Sequence, residues 1–236
     1  GRAISTTTTV RHSREQRILP LPATQAEVNA LASLLQGHHW TVQVYAREKA
    51  LKETLKRVKR PRVLHIATQS FNLPLPREKS SAGATDRPAV LEDPMLRSGL
   101  FFAGANRTLS GGIVGPGVDD GILTAYEAAE LDLHGTELVV LSASESGLGQ
   151  AMSGEGVFGL RRALLEAGAE AVLVSMWNVP DKETQELMTL FYQKWLAGKD
   201  KHEALREAQL EMRSRVKARY GGDRPALWGA FVLLGR

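Results

Sequence analysis

The stretch Glu137-Leu-Val-Val-Leu-Ser-Ala-Ser144-Glu-Ser-Gly-Leu-Gly149 limits what this chain can fold into more than any other. A run of strand-forming apolar residues ends in small and hydroxyl residues, and a glycine-rich turn through Gly154, Gly156 and Gly159 then leads into a helical pattern. A strand, loop and helix in that order is the unit of a parallel α/β sheet. In such sheets ligands and chemistry collect in the crevice beyond the carboxyl ends of the strands, which is where Ser144 falls.

The rest of the chain repeats the alternation. From Thr24 to Gln36 the apolar positions Val28, Leu31, Leu34 and Leu35 have helical spacing, and Thr24 with Glu27 has the form of a capping box. Trp40 to Tyr45 alternates at period two and predicts a half-buried strand; a helix with Ala50, Leu51, Leu55 and Val58 on one face follows and stops before Pro61. Arg62 to Thr68 reads as a buried strand running into Gln69, Ser70 and Phe71. Residues 72 to 97, with Pro74, Pro76, Pro88 and Pro94, read as a long loop of the kind that is functional or disordered. Further strands are predicted at Ser98–Ala103, Ala171–Met176 and Trp228–Leu234. Helices are predicted at Ala125–Glu130, Val157–Ala167, Asp181–Leu196 and Glu203–Arg219, the last with Leu205, Ala208, Leu210 and Met212 available for burial. Gly104 to Gly117 reads as a glycine-rich loop. The fold expected is α/β: a mainly parallel central sheet flanked by helices on both faces, with right-handed crossovers.

Composition removes several function classes. With 236 residues, 43% of them hydrophobic, one large domain with a covered core is feasible. The net charge of +4 is small, and its lysines and arginines follow helical patterns, so no nucleic-acid partner is expected. There is no cysteine, which removes disulfides and thiol chemistry. No apolar run reaches the roughly 20 residues that span a bilayer, so no membrane partner and a cytoplasmic location are expected. Residues 1–21, rich in Thr, Ser, Arg and Pro, read as an arm before a domain at 22–236; beginning at Gly1, the chain reads as either trimmed or part of something longer.

Each candidate motif has a plainer competitor. The glycines after Ser144 form neither G-x-G-x-x-G nor a P-loop, and better fit tight turns and close helix packing. A Ser-His pair needs an imidazole near Ser144. If the strands at 62–68 and 137–143 are parallel neighbours, Gln69 is the residue brought to Ser144, while His65 lies about 13 Å back along the strand. His134 precedes its strand, and His12, His38, His39 and His202 fall in the arm, at a helix end or on a surface helix. Asp119, Asp120, Asp132 and Glu127 lack zinc or EF-hand spacing, so no metal or other cofactor is expected. Glu145, Glu155 and Asp120 are candidates to line a pocket for a basic group, with hydrogen bonds from the two glutamates to loop amides as the plainer reading.

A family resemblance runs through the same motifs. Leu64-His65-Ile-Ala-Thr68, Ser98-Gly-Leu-Phe-Phe-Ala-Gly-Ala105, Asp120-Gly-Ile-Leu-Thr-Ala-Tyr-Glu127, Glu137 to Ala143, Gly147-Leu-Gly149, Gly159-Leu-Arg-Arg-Ala163, Val174-Ser-Met-Trp-Asn-Val179 and Trp228-Gly-Ala-Phe-Val-Leu-Leu-Gly235 closely resemble the CHAT domain. CHAT domains are caspase-like peptidase domains often found after tetratricopeptide repeats. The resemblance implies a caspase-like (caspase-hemoglobinase) fold and a strand ahead of the matched region that residues 1–20 do not plainly provide.

It also implies that the catalytic positions are substituted. In the family a histidine followed by glycine ends one strand and a cysteine ends the next; here those positions hold Gln69, Ser70 and Ser144. The thiolate, its imidazole partner and the glycine of the oxyanion position are all replaced. The expectation is therefore a peptidase-like domain without peptidase activity that binds a protein or peptide, or holds an assembly, with a tetratricopeptide-repeat region upstream. The alternatives are a serine-type hydrolase using Ser144 with a recruited base, and an active cysteine peptidase captured in inactivated form.

Overall fold

In the computed structural model residues 17–19, 21–72, 94–112, 115, 119–145 and 155–236 are described. The core is a six-stranded sheet built from β1 (Val63–Asn72), β2 (Ser98–Phe101), β3 (Ile122–Thr124), β4 (Leu138–Glu145), β5 (Ala171–Ser175) and β6 (Phe231–Gly235), in the order β3-β2-β1-β4-β5-β6. At the centre β1, β4 and β5 are parallel, and antiparallel neighbours β2–β3 and β6 close the two sides. The α/β class and the caspase-like arrangement implied by the resemblance are borne out.

Helices α1 (Pro22–Gly37), α6 (Asp181–Leu196) and α7 (Lys201–Tyr220) cover one face, and α4 (Ala125–Ala128) and α5 (Glu155–Glu166) the other, where α2 (Lys52–Arg57) adds Leu55; α3 (Ala105–Leu109) follows β2. Strand alternation explains the two cores. Leu138 and Val140 of β4 meet Phe191 and Tyr192 of α6 on the first face, whereas Val139 and Leu141 meet Leu160 and Leu164 of α5 on the second. Each fully buried apolar side chain of this size contributes about 1.5–3 kcal/mol. Gly159 lets α5 approach β2, because a Cβ there would lie 2.8 Å from Ser98 Oγ. At Gly159 that agrees with the close-packing reading; Gly147, Gly149 and Gly154 lie outside the described residues.

Several local expectations are corrected. Residues 40 to 45 form no strand, and their alternation in burial stops at Val42: Trp40 and Val42 rest against the α1/α6 core while Val44 and Tyr45 are exposed. Trp40 is held by Trp195 edge-on at 6.0 Å and by the Arg62 guanidinium 4.1 Å above its ring. Side-chain packing holds the segment in place without any pairing to the sheet among the described residues. The loop expected from Gly104 contains α3, entered through Gly104 at φ 99°. The segment after Asp119 adds β3, and the capping box belongs there, with the Thr124 side chain and the Glu127 carboxylate bonding reciprocally to backbone N–H groups. On α7 Leu210 is exposed, and Leu205, Ala208, Met212 and Val216 form the buried stripe. The expected loop over 72–97 lies outside the described residues between 73 and 93.

Candidate functional site at the ends of the central strands

Parallel pairing of β1 with β4 starts at Val63 opposite Leu138 and holds its register to the end. Gln69 therefore faces Ser144, and Ser70 faces Glu145, as paired residues on adjacent strands. The geometry expected from the sequence, two strand ends bringing these positions to one place, is present in the backbone. Past this point β1 continues on its other edge, pairing Ser70 with Leu100 and Phe71 with Gly99. Glu155 opens α5. The side chains of Ser144, Glu145 and Glu155 lie outside the described residues.

Gln69 is nearly buried, at 9% exposure, and its side-chain amide donates to the Leu19 carbonyl at 2.8 Å. A carboxamide donates and accepts hydrogen bonds but does not take up a proton near neutral pH. The segment that accepts this bond is itself held by α3. Asn106 Oδ1 accepts from Ile18 N–H at 2.8 Å, and Asn106 Nδ2 donates to the Ile18 carbonyl at 2.9 Å. Neither Asn106 nor the Ile18–Leu19 contact was legible in the sequence, where one lies in a glycine-rich stretch and the other in an arm without periodicity.

Beneath the strand ends lies a buried polar chain. Ser142 Oγ donates to Glu27 Oε2 at 3.1 Å, and Glu27 Oε1 lies 3.0 Å from His65 Nε2. The other ring nitrogen, Nδ1, lies 3.2 Å from the Tyr192 hydroxyl. Burial, and after it the neighbouring Glu27, push the Tyr192 hydroxyl far above its usual range, so it keeps its proton beside Nδ1. A carboxylate only accepts, so the Nε2 N–H is the donor to Glu27. His65, four residues before Gln69 on β1, is thus engaged at both nitrogens. Glu27 was expected to cap α1; instead the helix starts at Pro22 behind Leu21, with no side-chain cap. The signal was present in the spacing of Glu27, Leu31 and Leu35, which puts an acid on the buried stripe of the helix.

Asp120 belongs to a second cluster. Lys52 is 4% exposed, and its ammonium lies 2.7 Å from Asp120, 3.0 Å from Glu127 and 3.8 Å from Asp119, while Lys56 reaches Glu127 at 2.9 Å. Asp120 also accepts from Ile122 N–H. Burial opposes the charged form of Glu127, but hydrogen bonds from Lys56, from the Thr124 backbone and from Lys52 prevail and hold its carboxyl at about 2. The same acids raise Lys52 despite its desolvation. These acids are neutralised by lysines, and Asp132 pairs with Arg60 at 3.1 Å. Among the described residues no group of His, Asp and Glu could hold a metal ion, and no helix is long and apolar enough to cross a membrane.

The chain is similar to known proteins. Tetratricopeptide repeat protein 28 of Homo sapiens is 34% identical over 120 residues, which is 51% of this chain and 5% of that protein. Tetratricopeptide repeat protein 28 of Mus musculus is 34% identical over 114 residues, 48% of this chain and 4% of that protein. The chain thus spans only a small part of the length of these relatives. A family model described as the CHAT domain matches residues 3–236. With a family model matching almost the whole sequence, this chain belongs to the CHAT domain family.

Proposed function

We propose that this CHAT domain is a caspase-like module without peptidase activity, which binds a protein or peptide at the ends of β1 and β4 or holds a larger assembly together. The observation that carries the reading is the pairing of Gln69 with Ser144 at the two positions where the family resemblance implies a histidine and a cysteine. Gln69 cannot activate a hydroxyl, and an unassisted serine attacks an amide too slowly to serve as a peptidase. His65 supports the same reading, because Glu27 and Tyr192 occupy its ring nitrogens. The relatives are named for tetratricopeptide repeats, which favours a repeat-containing region elsewhere in the protein that carries this domain.

The test is to incubate the purified chain with a peptide library and an unfolded protein and to follow cleavage by mass spectrometry. No cleavage is expected. Cleavage that disappears in Ser144→Ala overturns the proposal in favour of a serine hydrolase with a recruited base. Folded Gln69→His with Ser144→Cys is expected to stay inert; thiol-dependent cleavage by it would favour a peptidase held in inactivated form.

A further inference from the structure

The segment Arg17–Leu19 touches the candidate site in a particular way: its hydrogen bonds there use backbone atoms. Asn106 takes both the N–H and the C=O of Ile18, and Gln69 takes the C=O of Leu19. One residue presents its N–H and C=O to a single side-chain amide only when its backbone is extended, as in the paired residues of an antiparallel ladder. Any peptide carries these atoms, so the contacts read conformation rather than sequence. Sequence is read at one place. The Ile18 side chain packs against a small apolar cluster of Phe71, Phe101, Ala105 and Ile122, in which the two phenylalanine rings lie 4.8 Å apart. Leu19, by contrast, is 66% exposed, and Arg17 is exposed as well.

Proteins that bind extended peptides as an added strand combine main-chain hydrogen bonds with a pocket for a side chain; here two side-chain amides supply the main-chain contacts. We infer that Asn106, Gln69 and the pocket of Phe71, Phe101, Ala105 and Ile122 form a recognition site for an extended peptide segment with one branched apolar residue, and that Arg17–Leu19 is its occupant in cis. This rests on the reading of the domain as a peptide-binding module and names the ligand class of that same site. Pro20 and Leu21 join the occupant directly to α1, so it is presented at high effective concentration, and a peptide in trans binds only as the segment leaves. The position of Gln69 fits this role: opposite Ser144, where the family resemblance implies a histidine, its amide serves as a donor to a peptide carbonyl.

The test uses the full chain and a fluorescein-labelled peptide copying residues 15–21, titrated by fluorescence anisotropy. Ile18→Asp expels the cis segment from the apolar pocket, because a carboxylate there would be desolvated. The peptide is expected to bind Ile18→Asp at least about tenfold more tightly than the unaltered chain. Adding Asn106→Ala should then weaken binding by about tenfold through loss of two backbone contacts. A peptide carrying Asp in place of its isoleucine should not bind. Equal affinity for the Ile18→Asp and unaltered chains, or indifference to Asn106→Ala, overturns the inference. If either variant fails to fold, hydrogen exchange in the unaltered chain decides: an Ile18 amide exchanging at the rate of a free peptide overturns it. Mass spectrometry of the same mixtures separates the two readings. Ser144-dependent cleavage with Asn106-dependent binding upholds the groove and overturns the inactive-peptidase reading, whereas neither binding nor cleavage overturns the groove alone.

Discussion

Glu27 ties helix α1 to the two central strands, and Glu27→Ala tests whether that tie holds the fold. The carboxyl group is almost fully buried and receives Ser142 Oγ and His65 Nε2 at 3.1 and 3.0 Å. Its removal leaves two donors without an acceptor: one on a hydroxyl in a residue 6% exposed, the other on a ring whose second nitrogen is already committed to Tyr192. An unsatisfied buried polar group costs about 1–3 kcal/mol, and the lost methylenes leave a small cavity in addition. Relaxation and entry of a water offset part of this, so about 3–4 kcal/mol of destabilisation is expected. In urea, with a slope of about 3 kcal/mol/M, the unfolding midpoint should fall by about 1 M. The partner matters as much as the size. Ser142→Ala costs about 1 kcal/mol in the unaltered chain, yet should cost nothing, or stabilise, in the Glu27→Ala background, where it removes an orphaned hydroxyl. A double-mutant cycle should therefore show coupling of about 1 kcal/mol or more. A Glu27→Ala loss below about 1 kcal/mol, or two effects that add to within about 0.5 kcal/mol, would refute the reasoning.

Two further outcomes bear on the scaffold around the site. Gly99→Ala places a Cβ 2.2 Å from the Leu123 carbonyl and 2.6 Å from the Phe71 ring, so β2 must shift; a loss of about 2–3 kcal/mol in urea unfolding is expected, and an unchanged midpoint would contradict the packing described. Glu127 has a folded-state carboxyl at about 2 against an ordinary 4.5. Its contribution is therefore complete above about pH 4.5 and is lost as the pH falls towards 2. Discounted for partial exposure to water, it amounts to about 1–2 kcal/mol. Glu127→Gln should flatten the acid limb of a stability-against-pH curve in that window, and an identical limb in both proteins would show that the lysine cluster does not act in this way.

How far the site could be read from the sequence depended on how local each determinant was. The positions Gln69 and Ser144 were found because buried parallel strands are short apolar runs, and runs that begin in step end in step. The same logic placed His65 out of reach. It failed at residues 40–45, because alternation shows only that one side of a segment is covered, and a strand also requires an unpaired edge to receive its backbone. It failed at Glu27 because Thr24 offered a local partner three residues away, while the partners that won, Ser142 and His65, lie on strands 115 and 38 residues distant.

By itself the sequence determined the α/β class, the order of most elements, the α6 boundaries and the family motifs, since each of these follows from periodicity or from short contiguous patterns. Only the tertiary structure decided which polar groups meet. The joining of Glu27 to His65 and Ser142, the neutralisation of Asp120 by Lys52, and the seating of Ile18 against Asn106 beside Gln69 are contacts between residues far apart in the chain. A hydrogen bond selects its partner by distance and angle to within fractions of an ångström, and that precision exists only once the sheet has set its register and the helices have packed upon it.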